Sequence, residues 1–368
     1  MSPAVRTILF SGGGTVGHLA PGFALAETLE GRDVRSVFAT PGEAVERDWF
    51  EGREAPETLP AIRLPRRPAA MLRFPFQFRR CVRTARQALD AMKPEAVVAL
   101  GGWPCAPVAW AAKGAGVPLV FLVPDAVPGL VVRKLAGRAG RIYAADPRAT
   151  EALAGHPGVV VTGPLLRKAA LDVRRVPEQL GLDADKRTLF VTGGSLGAQR
   201  LYERFLAGLE AAVAADAELP KRLQILHAVG TSGSDAAAVY ARLGLTHAVV
   251  PFVHDMGAAY GTADLVLCRA GASTCAELAA TATPAVLVPY PHHADRQQFR
   301  NAAPLVEAGG AEVIEQETLD PAAVAARVLA LVEDEARLAA MRAALAGGTE
   351  DAATVVADDL GRFLGWAT

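Results

Sequence analysis

The sequence predicts an α/β protein built from two doubly wound, Rossmann-like units, and three observations predict it. Short β-branched or aliphatic runs alternate with longer Ala/Leu/Arg/Glu stretches from end to end. Those runs are continuously apolar, as parallel strands covered by helices on both faces must be. At 368 residues the chain exceeds the size at which one core stops growing, and a 51% hydrophobic content supplies material for two.

In order, the predicted strands of the first half are residues 7–10, 34–39, 96–100, 119–123, 141–144 and 159–162. Those of the second half are 188–192, 224–228, 248–251, 265–268, 285–288 and 311–314. The stretch 167–186 is polar, carries Pro177 and Gly181, and precedes a fresh strand–glycine-loop–helix start. It is read as following a domain junction, with a cleft between the two units. The expected domains are residues 1–165 and 166–344. Residues 321–345 read as Ala-rich helices, and a last helix at about 345–368 is expected to pack back on the first domain.

Bulk properties remove several function classes. The formal net charge of −1 argues against a nucleic-acid binder that relies on global basicity. Cys81, Cys105, Cys268 and Cys275 form no C-x-x-C pair and no His/Cys cluster, so they read as reduced cytosolic thiols and not as a disulfide frame or a metal site. The N-terminal apolar run is too short for a signal-peptide core, and no segment offers about 18 uninterrupted apolar residues. Any membrane contact is expected to be peripheral.

Three glycine-rich turns follow predicted strands: Ser11 to His18, Gly193 to Gly197, and Arg269 to Thr274. Glycines let the backbone turn tightly and approach a ligand, and the helix that follows offers unpaired N–H groups to an anion. Gly12, Gly14 and Gly17 formally match G-x-G-x-x-G, but the second strand ends Phe38-Ala39-Thr40, without the carboxylate that would hold a dinucleotide ribose. No G-x-x-x-x-G-K-[ST] is present, which excludes a P-loop enzyme.

These residues resemble the MurG family of N-acetylglucosaminyltransferases, which add GlcNAc from UDP-GlcNAc to lipid I to make lipid II. The match spans nearly the whole chain. It rests on Gly13-Gly14-Thr15-x-Gly17-His18-x-x-Pro21, on Gly101-Gly102 with Pro107, and on Gly193-Gly194-Ser195-x-Gly197-Ala198. Its most specific part is ADLVLCRAGASTCAEL from Ala263 to Leu278, followed by Pro289 and by His293-Ala294-Asp295-Arg296-Gln297-Gln298-x-x-Asn301. The resemblance implies a GT-B fold of two facing Rossmann-like domains with a deep interdomain cleft. It also implies inversion by direct displacement of UDP, with no bound metal and no cofactor beyond UDP-GlcNAc as donor substrate.

Each residue so implicated also has a plainer reading. Thr274 and Glu277 have the spacing of a helix capping box. In the family context the Ala272-Ser273-Thr274 turn cradles the diphosphate and Glu277 accepts from both ribose hydroxyls, which suits the two oxygens of a carboxylate. Ser195 reads either as an ordinary N-cap or as a diphosphate ligand. Arg167 is a solvated charge or, by resemblance, a fork facing the diphosphate with Thr15 and Gly17. Gln297 and Gln298 are a solvated loop or, by resemblance, the amides that hold the GlcNAc ring. His18 is a locally satisfied helix-start histidine, a base for the attacking hydroxyl, or a contact to the departing diphosphate.

Residues 61–89 hold eight arginines and no acid, interleaved with Met71, Leu72, Phe74, Phe76 and Phe78. This is a basic surface segment or a contact with the anionic inner-leaflet membrane surface, apolar side chains dipping in while Arg73, Arg79 and Arg80 meet headgroups. A polyprenyl-pyrophosphate-linked acceptor calls for such a contact, on the cytoplasmic face of the plasma membrane.

The chain departs from the family in its first half. The family's His-Glu-Gln-Asn run is Leu122-Val123-Pro124-Asp125 here, its Tyr and Ser of the second glycine loop are Trp103 and Cys105, and its Asn-Pro before Arg167 is Pro164-Leu165. Asp125 is the carboxylate left to serve as base or to orient His18. These departures keep three alternatives to lipid I glycosylation: a related transferase with another lipid acceptor, a catalytically silent UDP-sugar-binding paralogue, and a UDP-GlcNAc 2-epimerase.

Overall fold

The computed structural model of the chain describes residues 6–14, 16–42, 48–50, 54–62, 65, 67–231, 233–292, 295–316, 320–347 and 351–366, with the backbone alone at 16, 48 and 68–70. Two compact units result: Met1–Arg167 with Glu350–Thr368, and Lys168–Thr349.

The first unit carries a seven-stranded sheet in the order β3-β2-β1-β4-β5-β6-β7. Its strands are β1 (Arg6–Ser11), β2 (Val34–Thr40), β3 (Glu57–Thr58), β4 (Ala96–Ala99), β5 (Leu119–Val123), β6 (Arg141–Ala144) and β7 (Val159–Val161). The second carries six, ordered β10-β9-β8-β11-β12-β13. These are β8 (Arg187–Thr192), β9 (Leu223–Ala228), β10 (Thr246–Val250), β11 (Leu265–Cys268), β12 (Ala285–Leu287) and β13 (Ala311–Val313). All pairings are parallel, for example Leu9 opposite Val97 and Val266 opposite Ala285. The twelve strands expected from sequence are all present to within two residues at either end. Among the described residues only β3 was not foreseen, a two-residue exposed edge with no apolar run to announce it.

Among the helices, in chain order, are α1 (Val16–Glu30), α2 (Pro68–Met92), α3 (Gly102–Ala115), α4 (Gln199–Ala215) and α5 (Met256–Thr262). They continue with α6 (Ala272–Ala280), α7 (Gln297–Ala308), α8 (Pro321–Glu333), α9 (Glu335–Leu345) and α10 (Ala352–Leu364).

Burial on both faces explains why the strands lack polar alternation. Leu189 and Val191 of β8 face a core with Leu201, Phe205 and Val328, while Phe190 between them faces Tyr260, Leu278 and Leu305. In the first unit Leu9, Val97 and Phe121 face α2 and α3, whereas Phe10 turns the other way and stacks on Phe38 at 4.8 Å. Each fully buried Leu, Val or Phe contributes roughly 1.5–3 kcal/mol, so a polar residue at any of these positions is costly.

Helix α2 follows its apolar spacing. Phe74, Phe78, Cys81, Ala85, Leu89 and Met92 recur every three or four residues and turn toward α3 and the sheet. The helix stops at Lys93, in the left-handed region at φ 49°, just before Pro94, which has no N–H to continue the ladder. Leu72 and Phe76 are off this stripe, Met71 continues its spacing in the first turn, and Met71, Leu72 and Phe76 stand 55, 79 and 72% exposed.

Helix α10 packs on α1 in the first unit, burying Val356, Ala357 and Leu360. Asp359 Oδ2 accepts from Tyr143 Oη at 2.9 Å and from Arg141 Nε at 3.1 Å, and Asp358 accepts from Arg32. Trp366 donates its indole N–H to Glu95.

In each sheet the strand order reverses once, between β1 and β4 and between β8 and β11. Ligands of open α/β sheets bind beyond the carboxyl ends of strands at such points. The glycine turns follow those four strands.

Candidate active site

At the switch point of the first unit, His18 is the third residue of α1 and lies against the turn that ends β4. Gly102 is favoured at this turn by its φ of +70°, and a Cβ there would be in ordinary contact with His18 Cε1 at 3.6 Å. Burial lowers the His18 pKa below 6.5, and the Asp125 carboxylate pulls it back up. The ring is therefore neutral near pH 7, with a carboxylate acting on it. Asp125 comes just after β5, next to β4 in the sheet, so the topology and not the sequence spacing brings the two together.

The departing segment splits in two. Leu122 and Val123 are core residues of β5, 2 and 3% exposed, while Pro124 and Asp125 are partly buried beyond its end. Among these four positions Asp125 alone offers a charged group at the site. Trp103 is the second residue of α3 and meets the ring of Phe74 edge-on at 5.8 Å. Cys105 donates to Gly102 O, and burial pushes its thiol up to about 12, which removes it as a nucleophile. Gly17 is exposed in the first turn of α1, where an added Cβ would meet nothing within 4 Å. Thr15 and His293 lie outside the described residues.

Arg167 is not a solvated charge. It is 7% exposed, with its guanidinium 4.4 Å from the centre of the Trp49 ring. Nothing in the sequence around Trp49 signals this partner, because Trp49 sits in a short helical turn, Asp48–Phe50, without periodicity.

At the switch point of the second unit, two plain readings are overturned. Ser195 does not cap a helix: α4 begins four residues later, after Ala198, and Ser195 is buried in the preceding loop, its carbonyl accepting from Thr231 N at 3.0 Å. Gly193 is required there, since a Cβ would fall 2.4 Å from Ala198 N. Thr274 and Glu277 do not form a capping box either. The N-cap of α6 is Gly271, with no side-chain cap, so Thr274 is the third helical residue and Glu277 lies in the second turn. Glu277 is 7% exposed and accepts from Tyr260 Oη at 2.8 Å. Ala272, Ser273 and Thr274 form the first turn, whose N–H groups carry the positive end of the helix dipole.

Gln297 and Gln298 are not loop residues but the first two of α7, which starts from Arg296 in the left-handed region at φ 51°. Gln298 Oε1 accepts from Tyr290 N at 2.7 Å, tying α7 to the end of β12. Sequence reasoning missed Arg269, which donates to the carbonyls of Val288 and Pro289 at 3.0 and 3.4 Å and to Gln316, and so clamps the ends of β11, β12 and β13. Its position directly after a predicted strand was the available signal. It also missed a pocket of about 360 Å³ lined by Arg200, Glu203 and Arg204 of α4 with His292 and Gln316.

Phe74 and Phe78 were expected at the membrane. They are half-buried instead, stacked on each other and edge-on to Trp103 and Trp110, so they brace α2 from below. Met71, Leu72 and Phe76 remain outside, with Arg73, Arg79 and Arg80 exposed beside them. No helix among the described residues is long and apolar enough to cross a membrane. Among the same residues no group of three or more His, Cys, Asp or Glu side chains is placed to hold a metal ion.

Comparison with known proteins bears on both units. Residues 8–144 match the glycosyltransferase family 28 N-terminal domain and residues 188–356 its C-terminal domain. A relative from Frankia casuarinae is 35% identical over 96% of this chain and 95% of its own, and one from Streptomyces avermitilis is 38% identical over 94 and 95%. Both are UDP-N-acetylglucosamine–N-acetylmuramyl-(pentapeptide) pyrophosphoryl-undecaprenol N-acetylglucosamine transferases. The crystal structure of Acinetobacter baumannii MurG superposes with a TM-score of 0.70 at 28% identity, over 97% of this chain and 99% of that one. A Listeria monocytogenes protein described as a UDP-N-acetylglucosamine 2-epimerase reaches the same TM-score at 14% identity, over 100 and 98%, a likeness of fold alone.

Proposed function

The chain belongs to glycosyltransferase family 28, and from that premise we propose that it transfers GlcNAc from UDP-GlcNAc to the C4 hydroxyl of the MurNAc of lipid I, making lipid II. The observation that carries this is the second-unit switch point: the first turn of α6, a buried Glu277 and the paired amides of α7, in the order of the family motif.

In this reading Glu277 accepts both ribose hydroxyls, and the diphosphate lies on the N–H groups of Ala272, Ser273 and Thr274, with Ser195. Gln297 and Gln298 bond the GlcNAc hydroxyls. As the bond from the anomeric carbon to the diphosphate breaks, negative charge grows on the leaving oxygens, where a helix N-terminus stabilises it most. The acceptor hydroxyl attacks from the opposite face, so configuration inverts. A neutral ring nitrogen of His18 takes its proton, and Asp125 stabilises the imidazolium that results.

The apolar tip Met71, Leu72 and Phe76, set among Arg73, Arg79 and Arg80, is read as the peripheral contact with an anionic inner-leaflet surface, at the cytoplasmic face, where a polyprenyl-pyrophosphate-linked acceptor resides. The departures at Leu122 to Asp125 favour one second reading, a different lipid acceptor on the same donor chemistry.

The test is UDP release from the purified protein with UDP-GlcNAc, with and without a short-chain lipid I analogue. Release that depends on the analogue supports transfer to lipid I. Donor binding without release, restored by another polyprenyl-linked sugar, selects the second reading. ManNAc formed from donor alone would overturn both.

A further inference from the structure

Glu277 is held from another helix. Tyr260 Oη donates to Glu277 Oε2 at 2.8 Å, and both residues are buried, 2 and 7% exposed. The start of α5 is fixed by Asp255, whose carboxylate accepts from Ala258 N at 2.9 Å. The Tyr260 ring then meets Phe190 of β8 edge-on, centroids 6.1 Å apart. The phenol thus rides on a braced ring.

We infer that Tyr260 is a positioning residue for nucleoside recognition, fixing the Glu277 carboxylate in the orientation that receives both hydroxyls of a ribose. This rests on the ribose reading of Glu277 above. A carboxylate offers about four acceptor positions, and the phenol takes one of them on Oε2. A glutamate side chain that must be ordered on binding costs affinity, and ordering it beforehand removes that cost. Fixing the carboxylate also sharpens selection, because a nucleotide without the 2′-hydroxyl leaves a desolvated acceptor unmatched.

The experiment is calorimetric binding of UDP and of 2′-deoxy-UDP to the full chain, as wild type, Tyr260→Phe and Glu277→Gln. Phenylalanine keeps the ring against Phe190, and an unchanged melting temperature verifies the fold. Tyr260→Phe is expected to weaken UDP about tenfold and 2′-deoxy-UDP clearly less, so that discrimination between the two shrinks. KM for UDP-GlcNAc rises in step, while kcat stays within about twofold. Equal weakening of both nucleotides, or none, overturns the positioning role. If discrimination persists in Glu277→Gln, the ribose reading itself falls. If it collapses in Glu277→Gln but survives in Tyr260→Phe, the positioning role alone falls.

Discussion

Each unit holds a histidine whose proton affinity is lowered by burial, and the two differ in what faces the ring. His18 stands at a switch point, against glycines that leave the backbone bare, with the Asp125 carboxylate acting on it. His227 sits in β9 at 0% exposure, its Nδ1 2.9 Å from Tyr240 Oη and its ring edge-on to Tyr202 at 4.4 Å. Burial alone takes its pKa to about 4. A lowered pKa therefore does not mark a catalytic group by itself. The position at the carboxyl ends of strands, and a counter-charge able to stabilise the protonated ring, separate a base from a core residue.

The comparison breaks most directly at His18. His18→Ala is expected to reduce kcat by about 10²–10⁴, the range for a positioned acid–base group, with UDP affinity nearly unchanged. The acid limb of the kcat profile should lie below pH 6.5, since burial lowers the group and only its neutral form accepts a proton. Full turnover by His18→Ala would return the residue to the same class as His227.

For His227 the expectation concerns stability. The unfolded histidine binds its proton near pH 6.5 and the folded one only near 4, so between those values the unfolded state holds more protons. Stability should fall by about 3 kcal/mol as pH drops through that window. Chemical denaturation across it, with His227→Phe as the flattened control, measures this. Turnover per folded molecule should stay close to wild type.

Next in size is the tip of α2. The double substitution Leu72→Asp and Phe76→Asp should weaken binding to vesicles of anionic lipid about tenfold or more. Turnover of a short-chain acceptor in solution should hold within about twofold. Unchanged vesicle binding would leave these exposed side chains without the proposed role.

The smallest expected effect sharpens the contrast best. Asp125→Asn removes the carboxylate that raises the His18 pKa, so the acid limb should move to still lower pH while turnover falls about five- to tenfold. A fixed limb with undiminished turnover would dissociate the pair.

Much of this was legible before any coordinates. Strand positions, parallel pairing and the order of glycine turns follow from apolar runs that are buried on both faces, a local signal repeated a dozen times. Most of the residues proposed to bind the donor were legible too, as motif stretches in a fixed order between Ala263 and Asn301. The local readings of Ser195 and of Thr274 with Glu277 failed for one reason. Cap spacings are necessary for a cap but do not set where a helix starts, and here Gly271 and the tight Gly193–Ala198 approach set it.

The sequence by itself determined the two parallel sheets and the residues that line their carboxyl ends, because strand period, glycine turns and motif order are written along the chain. Only the tertiary structure decided which side chain serves which. Tyr260 meets Glu277 from 17 residues away, Trp49 covers Arg167, Asp125 acts on His18 across two strands, and Phe74 and Phe78 turn inward while Phe76 does not. Those pairings arise from strand order and helix packing, which bring distant residues together at distances that no spacing along one chain specifies.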